Sequence, residues 1–149
     1  MDKIYDLIIV GAGPAGLAAG VYGARAKMKT LILEKGTIGG MASKTTEIVN
    51  YPGIPKTSGE KLGEVMSKHA ENLGATIVRD SIKTVELNGE IKVLKSRRKE
   101  YKARSVIFAT GTRPRVLGIP GEVDFKGSGV AYCATCDAEF FSNQEVVVV

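Results

Sequence analysis

Apolar positions along this chain follow different rhythms, and each rhythm predicts a different element. Residues 4–10 form an almost unbroken apolar run that ends at Gly11. A run without alternation suits a parallel strand covered on both faces. Pro14 can then open a helix, because its missing N–H costs little in the first turn. Leu17, Val21, Ala24 and Met28 mark one face of that helix at helical spacing. Residues 30–33 read as a second buried strand, closed by Glu34. Strand, helix and strand together have the length of a βαβ crossover.

Residues 36–55 are rich in glycine and carry proline, so they read as a long functional or mobile loop. Thr57-Ser58-Gly59-Glu60 fits a capping box. Leu62, Val65, Met66, Ala70 and Leu73 follow at helical spacing, and Gly74 stops the helix. His69, in the middle of this helix, reads as a partly buried residue rather than a catalyst. Residues 76–78 read as a short strand. Residues 82–87 and 91–94 flank Asn88-Gly89, the strongest short hairpin signal. Residues 105–109 are another buried strand. Beyond them glycine and proline recur without periodicity, which places a linker and a domain boundary near 112–120. The run Val146-Val147-Val148-Val149 reads as a strand with no turn after it, so the chain is expected to be the N-terminal part of something longer.

Composition narrows the class. Hydrophobic residues make up 44% of the 149 and charged residues 25%, ordinary values for a globular protein. No apolar run approaches the roughly 20 residues that span a bilayer. Met1-Asp2-Lys3-Ile4 leads straight into an apolar strand without the parts of a signal peptide, so a cytoplasmic location is the default and no membrane is expected. The net charge of +5 owes much to Lys95, Arg97, Arg98, Lys99, Lys102 and Arg104. Only Tyr101 interleaves this cluster, so it reads as a solvated hairpin edge, not a nucleic-acid surface.

Two motifs carry chemistry. Gly11-Ala12-Gly13-Pro14-Ala15-Gly16 is a G-x-G-x-x-G pattern between a strand and a helix. Gly11 permits a tight turn, Gly13 lets backbone approach a pyrophosphate, and Gly16 lets the helix pack close to the sheet. The free N–H groups and the positive end of the helix favour a diphosphate. Glu34, about 20 residues on, can accept hydrogen bonds from ribose hydroxyls and disfavours a 2′-phosphate. The site therefore reads as one for FAD or NAD rather than NADP, with a purely structural glycine turn as the plainer alternative.

The second motif is Cys133-Ala134-Thr135-Cys136-Asp137, which holds the only two cysteines. Zinc needs four ligands, and this pair supplies two, with His69 the only histidine. Two inert thiols are the bland reading. The stronger one is redox: C-x-x-C sets two sulfurs one helical turn apart, one to attack a disulfide and one to resolve the intermediate. Asp137 would shuttle a proton to the leaving thiolate, or else only stabilise a helix start. Ala109-Thr110-Gly111 resembles a strand end passing close to a cofactor, and Gly39-Gly40-Met41 a loop that lets backbone approach an isoalloxazine ring. The plainer alternatives are a simple glycine turn for the first and a flexible loop for the second.

Together these pieces resemble the low-molecular-weight thioredoxin reductase family of two-domain flavoproteins. The matching residues are Gly11 to Gly16, Gly39-Gly40, Asn50-Tyr51-Pro52-Gly53, Ala109-Thr110-Gly111, Ile119-Pro120-Gly121-Glu122, and Gly129 through Tyr132 into the Cys133–Asp137 motif. The resemblance implies an α/β fold: a Rossmann-like FAD-binding domain with a central parallel sheet and a β-hairpin, and then the start of a second nucleotide-binding domain carrying the C-x-x-C. The expected division is 1–115 and 116–149. It implies FAD held by Gly11, Gly13, Pro14, Ala15, Gly16, Glu34, Lys35, Gly39, Gly40, Met41, Asn50, Ala109, Thr110 and Gly111. Cys136 would face the flavin, Cys133 would attack the partner disulfide, and Asp137 would be the acid/base. Electrons would pass from NADPH or ferredoxin through the flavin and the dithiol to a thioredoxin-like protein. NADPH would bind outside this chain. A homodimer is expected of the full-length form.

The family has Gln where Met41 stands and Gly where Ala138 stands. The resemblance implies a full length of roughly 300 residues, and 149 residues are short for a two-domain plan. The chain is therefore expected to be inactive as a reductase when alone. A ferredoxin-dependent relative and a non-catalytic FAD-binding redox sensor are the alternatives.

Overall fold

A computed structural model describes residues 3–149, apart from the side chains of Thr135 and Cys136. The chain divides into two compact units, Met1–Thr112 and Arg113–Val149.

The first unit is built on six strands: β1 (Ile4–Val10), β2 (Thr30–Glu34), β3 (Thr76–Arg79), β4 (Ile82–Glu86), β5 (Lys92–Ser96) and β6 (Glu100–Phe108). Their order across the sheet is β3-β2-β1-β6-β5-β4. The β3-β2-β1-β6 half is parallel, and β6-β5-β4 is antiparallel. Two long helices complete the unit: α1 (Pro14–Arg25) joins β1 to β2, and α2 (Gly59–Asn72) precedes β3. A 3-10 turn, Gly40–Lys44, lies in the long loop between β2 and α2.

Alternation in the two central strands builds a core on each face of the sheet. Leu7, Ile9 and Ile32 pack with Leu17, Ala24 and Ala70 of the helices. Ile8, Leu31 and Leu33 point the other way, onto Leu94, Tyr101 and Ala103. Fully burying a Leu or Ile side chain stabilises by roughly 1.5–3 kcal/mol, so these positions dominate the fold. Helix α1 approaches the sheet through glycines. A Cβ on Gly20 would lie 2.4 Å from Ile32 Cδ1, and one on Gly23 would lie 2.8 Å from Leu7 Cδ2. A larger residue at either position requires these core side chains to shift or the helix to move outward.

The Asn88-Gly89 signal does produce the β4–β5 hairpin, and Gly89 has φ of +84°. The basic cluster on this edge is partly ion-paired: Lys95 meets Glu86 at 2.6 Å, and Arg104 meets Glu90 at 3.2 Å. Exposed pairs of this kind add little stability.

Several local expectations change. The cap of α2 is Ser58, whose hydroxyl accepts from the Lys61 amide at 3.2 Å, and not Thr57. Thr57 is already committed to a two-bond bridge with Ile48. His69 is exposed, because its neighbour Ala70 takes the inward position. Strand β6 starts at Glu100, five residues earlier than its apolar run, because pairing with β5 satisfies the backbone of its charged start. Residues 146–149 form no strand; all four valines are exposed and irregular. A strand needs a neighbour to hydrogen-bond, and among the described residues these four have none.

The second unit contains an isolated bridge between Lys126 and Val130, the short helix α3 (Ala134–Asp137) and a 3-10 turn at Ala138–Phe141. Among the described residues, no helix is long and apolar enough to cross a membrane.

Candidate functional site

The turn after β1 shows what each glycine of the fingerprint is for. Gly11 has φ of +111°, and a Cβ there would lie 2.2 Å from the Ala109 carbonyl oxygen. The end of β6 thus runs directly against the turn, tied by the Ala109 amide to the Val10 carbonyl at 2.9 Å. A Cβ on Gly16 would fall 1.8 Å from the Gly11 carbonyl oxygen, which fixes how closely α1 sits on the strand. Gly13 differs: the nearest atom to its Cβ position is Gly40 Cα, at 4.0 Å. Among the described residues, no atom comes closer than that to the space beside Gly13.

That space faces the start of α1. Gly13 caps the helix without a side-chain hydrogen bond, and Pro14 contributes no N–H. The first helical bond is Leu17 N–H to the Gly13 carbonyl, at 2.9 Å, so the N–H groups of Ala15 and Gly16 precede the ladder. Amides of this kind at the positive end of a helix are suited to an anion. The second wall is the Gly39-Gly40 loop, with φ of +96° and +59°. The Gly39 amide donates to the Ala12 carbonyl at 2.8 Å, and Gly40 lies against Gly13. From behind, α2 clamps the same loop: a Cβ on Gly63 would be 2.9 Å from Gly39 Cα. An open glycine, free helix amides and a second glycine wall fit the diphosphate of a dinucleotide.

Glu34 closes one end of the slot. Its Oε2 accepts from the Ala12 amide at 2.7 Å, and its Oε1 accepts from the Gly36 amide at 2.6 Å. A carboxylate has about four lone-pair directions, so both oxygens keep capacity for ribose hydroxyls. Lys35 is exposed and lines a cleft of about 450 Å³ with Arg79, Asp80, Ser81 and Lys83. The sequence reading did not include these last four. Only the fold brings them there, because β3 ends beside β2 and the Asp80 amide donates to the Glu34 carbonyl at 2.9 Å. The phenol of Tyr101 donates to Asp80 at 2.7 Å. This bond holds the Asp80 carboxyl below its ordinary range against the opposing effect of burial. Burial first, and then the Asp80 carboxylate, push the Tyr101 phenol up to about 12.

The structure thus brings together Gly11, Gly13, Gly16, Glu34, Gly39, Gly40 and Ala109. Pro14 and Ala15 form the first helical turn, and Thr110 and Gly111 continue from β6. Met41 lies in the 3-10 turn, 45% exposed. Asn50 is exposed in the loop beyond it and makes no hydrogen bond to the glycine turn.

In the second unit Cys133 is the N-cap of α3 and is disulfide-bonded. Its carbonyl accepts from the Asp137 amide at 2.9 Å, which sets Asp137 one turn from the sulfur-bearing residue. Cys136 contributes backbone to α3; its side chain, and the role expected of it, lie outside the described residues. Among the described residues, no group of three or more His, Cys, Asp or Glu could hold a metal ion.

The sequence profile of the pyridine nucleotide-disulphide oxidoreductases matches residues 5–149. The chain belongs to that family. Within it, the chain is 53% identical over 150 residues to a thioredoxin reductase of Peptoclostridium acidaminophilum, covering 100% of this chain and 48% of that one. It is 47% identical to a thioredoxin reductase of Bacillus subtilis (strain 168), covering 99% of this chain and 47% of that one. The crystal structure of thioredoxin reductase from Streptococcus pyogenes MGAS5005 superposes with a TM-score of 0.84 at 38% identity, over 95% of this chain and 46% of that one. The chain spans about half the length of the curated relatives it matches. The α/β, Rossmann-like architecture of the first unit is that of this oxidoreductase family.

Proposed function

We propose that this chain carries the flavin-binding turn and the redox dithiol of a thioredoxin-disulfide reductase. The observation that carries the reading is Cys133 held as a disulfide at the head of α3, in a chain whose first unit contains a dinucleotide cradle. The likeness to thioredoxin reductases over the whole chain supports it. In this reading residues 1–115 belong to an FAD-binding domain and 116–149 begin the domain that holds the dithiol.

FAD fits the slot beside Gly13, with Gly11, Pro14, Ala15, Gly16, Gly39 and Gly40 around the diphosphate and Glu34 and Lys35 toward the adenosine. Met41, Asn50, Ala109, Thr110 and Gly111 complete the proposed set. When bound, FAD supplies the two electrons that open the Cys133 disulfide. The chain's own residues then do the exchange. The Cys133 thiolate attacks one sulfur of a partner disulfide; that S–S bond breaks and a mixed disulfide forms. Asp137 delivers a proton to the departing partner thiolate. The Cys136 thiolate attacks the Cys133 sulfur, re-forms the internal disulfide and releases the second partner thiol. The net result is one disulfide reduced in the partner and one formed in this chain.

The partner is a thioredoxin-like protein, the electron donor NADPH or a ferredoxin, and the full-length form a cytoplasmic homodimer. Anaerobic titration of the full-length flavoprotein with NADPH, and separately with reduced ferredoxin, tests the reading. Flavin absorbance should bleach and two thiols should become alkylatable. A flavin that bleaches while Cys133 and Cys136 stay oxidised would reduce the protein to a redox sensor.

A further inference from the structure

The second unit is organised around a buried carboxylate that the exchange chemistry does not use. Glu122 is only 3% exposed. Its Oε1 accepts from the Leu117 amide at 3.0 Å and the Tyr132 hydroxyl at 2.6 Å, and its Oε2 from the Gly118 amide at 2.6 Å. No ion pair among the described residues involves it. A buried anion without a cation persists only where such donors surround it. The Tyr132 hydroxyl, followed by the Leu117 amide, holds the Glu122 carboxyl below the usual carboxylate range. The hydroxyl is therefore a donor to an ionised acceptor, the stronger class of hydrogen bond.

The place of that bond gives it meaning. Tyr132 immediately precedes Cys133, the N-cap of α3. Helix α3 has four residues, too few to hold its own shape in water. Once the disulfide opens, the sulfur-bearing residue depends on its upstream neighbour for position. From Glu122, the Leu117–Gly118 backbone and the Tyr132 ring are fixed together.

We infer that Glu122 and Tyr132 are positioning residues for Cys133, through a carboxylate–phenol bond that keeps the residue before the sulfur in place when the disulfide is reduced. The inference rests on the redox-dithiol reading above. Ordering the reduced state raises the effective concentration of one thiol toward the other, which favours the disulfide. Loosening it should make the disulfide easier to reduce.

The test is the equilibrium of the full-length protein with reduced and oxidised glutathione, read by alkylation of free thiols and mass shift. Tyr132→Phe removes one hydroxyl and keeps the ring. It should shift the constant toward the dithiol about threefold to tenfold, or ~15–30 mV for a two-electron couple. Glu122→Gln should shift it in the same direction, and by more. Lys126→Gln, which removes a cation 5.3 Å from the Tyr132 ring centroid, should leave it unchanged. Constants within twofold of the parent for both Tyr132→Phe and Glu122→Gln, or a shift toward the disulfide, would overturn the inference. If Glu122→Gln does not fold, Tyr132→Phe decides alone. A pair that shifts with glutathione but takes no electrons from the reduced flavin sinks the reductase reading and leaves the positioning role standing. A parent pair inert to glutathione sinks both.

Discussion

Replacing Gly13 by alanine should separate folding from cofactor binding. Gly13 sits at φ −74° and ψ 179°, extended backbone that alanine adopts freely. Its new methyl would meet nothing nearer than Gly40 Cα, 4.0 Å away, an ordinary contact. Restricting the unfolded chain stabilises by about 0.4–1 kcal/mol at a compatible site. Alanine is a poorer N-cap than glycine, which costs about 0.5–1 kcal/mol. The two nearly cancel, so the apoprotein should keep its stability to within about 0.5 kcal/mol. The methyl does, however, occupy the space a diphosphate needs. Losing one charge-assisted hydrogen bond costs about 1.5–3 kcal/mol. At about 1.4 kcal/mol per decade, FAD affinity should fall roughly tenfold to a hundredfold. Thermal melts of the apoprotein and a flavin-fluorescence titration of the full-length protein measure the two halves. Gly16→Ala is the contrast: its methyl would lie 1.8 Å from backbone, so it should destabilise by about 1–3 kcal/mol with or without FAD. A Gly13→Ala protein that binds FAD as tightly as its parent, or whose apo form loses more than about 2 kcal/mol, would refute the reasoning.

Glu34→Ala should cost about 1–3 kcal/mol in urea denaturation, since it strips the Ala12 and Gly36 amides of their acceptor. The raised Tyr101 phenol favours the neutral form in the folded state, so its contribution is complete below the ordinary value of 10.0 and is lost as pH climbs toward about 12. The lowered Asp80 carboxyl works in the opposite sense: its contribution is present above 3.8 and disappears in more acidic solution. Tyr101→Phe should therefore flatten the alkaline arm of a stability–pH curve, which a melting series between pH 8 and pH 12 would show. Asp137→Asn should slow turnover with a thioredoxin-like substrate by about a hundredfold while leaving flavin reduction by the donor unchanged. Stopped-flow absorbance separates those two phases.

The legible parts of this fold are those whose causes are local. The β1–α1–β2 unit follows from an apolar run, a proline at the first helical position and a second apolar run. The β4–β5 hairpin follows from Asn88-Gly89. Features set by distant neighbours were harder to read. The charged start of β6 becomes strand only because β5 pairs with it, and Ser58 rather than Thr57 caps α2 because Ile48 claims Thr57. Residues 146–149 have strong strand propensity but, among the described residues, no strand to pair with. At the candidate site, the glycine pattern was legible down to the role of each glycine, because those roles are local to one strand–turn–helix. What the sequence did not show is the long-range partner of each: Ala109 against Gly11, and Gly40 opposite Gly13. The Glu122 network is invisible in sequence because its donors are backbone amides and a phenol ten residues away.

The pairing of β1 with β6 has a consequence for how the protein is made. The hydroxyl of Ser105 donates to the Asp6 carbonyl across 99 residues, and the same pairing seats Ala109 on Gly11. Strand β1 thus waits for most of its unit to be made before β6, its last partner, arrives. Contacts of such long range form late and slow the folding of parallel sheets. During synthesis the nascent glycine turn has one wall missing until β6 emerges, so flavin capture should be among the last events in the unit's assembly.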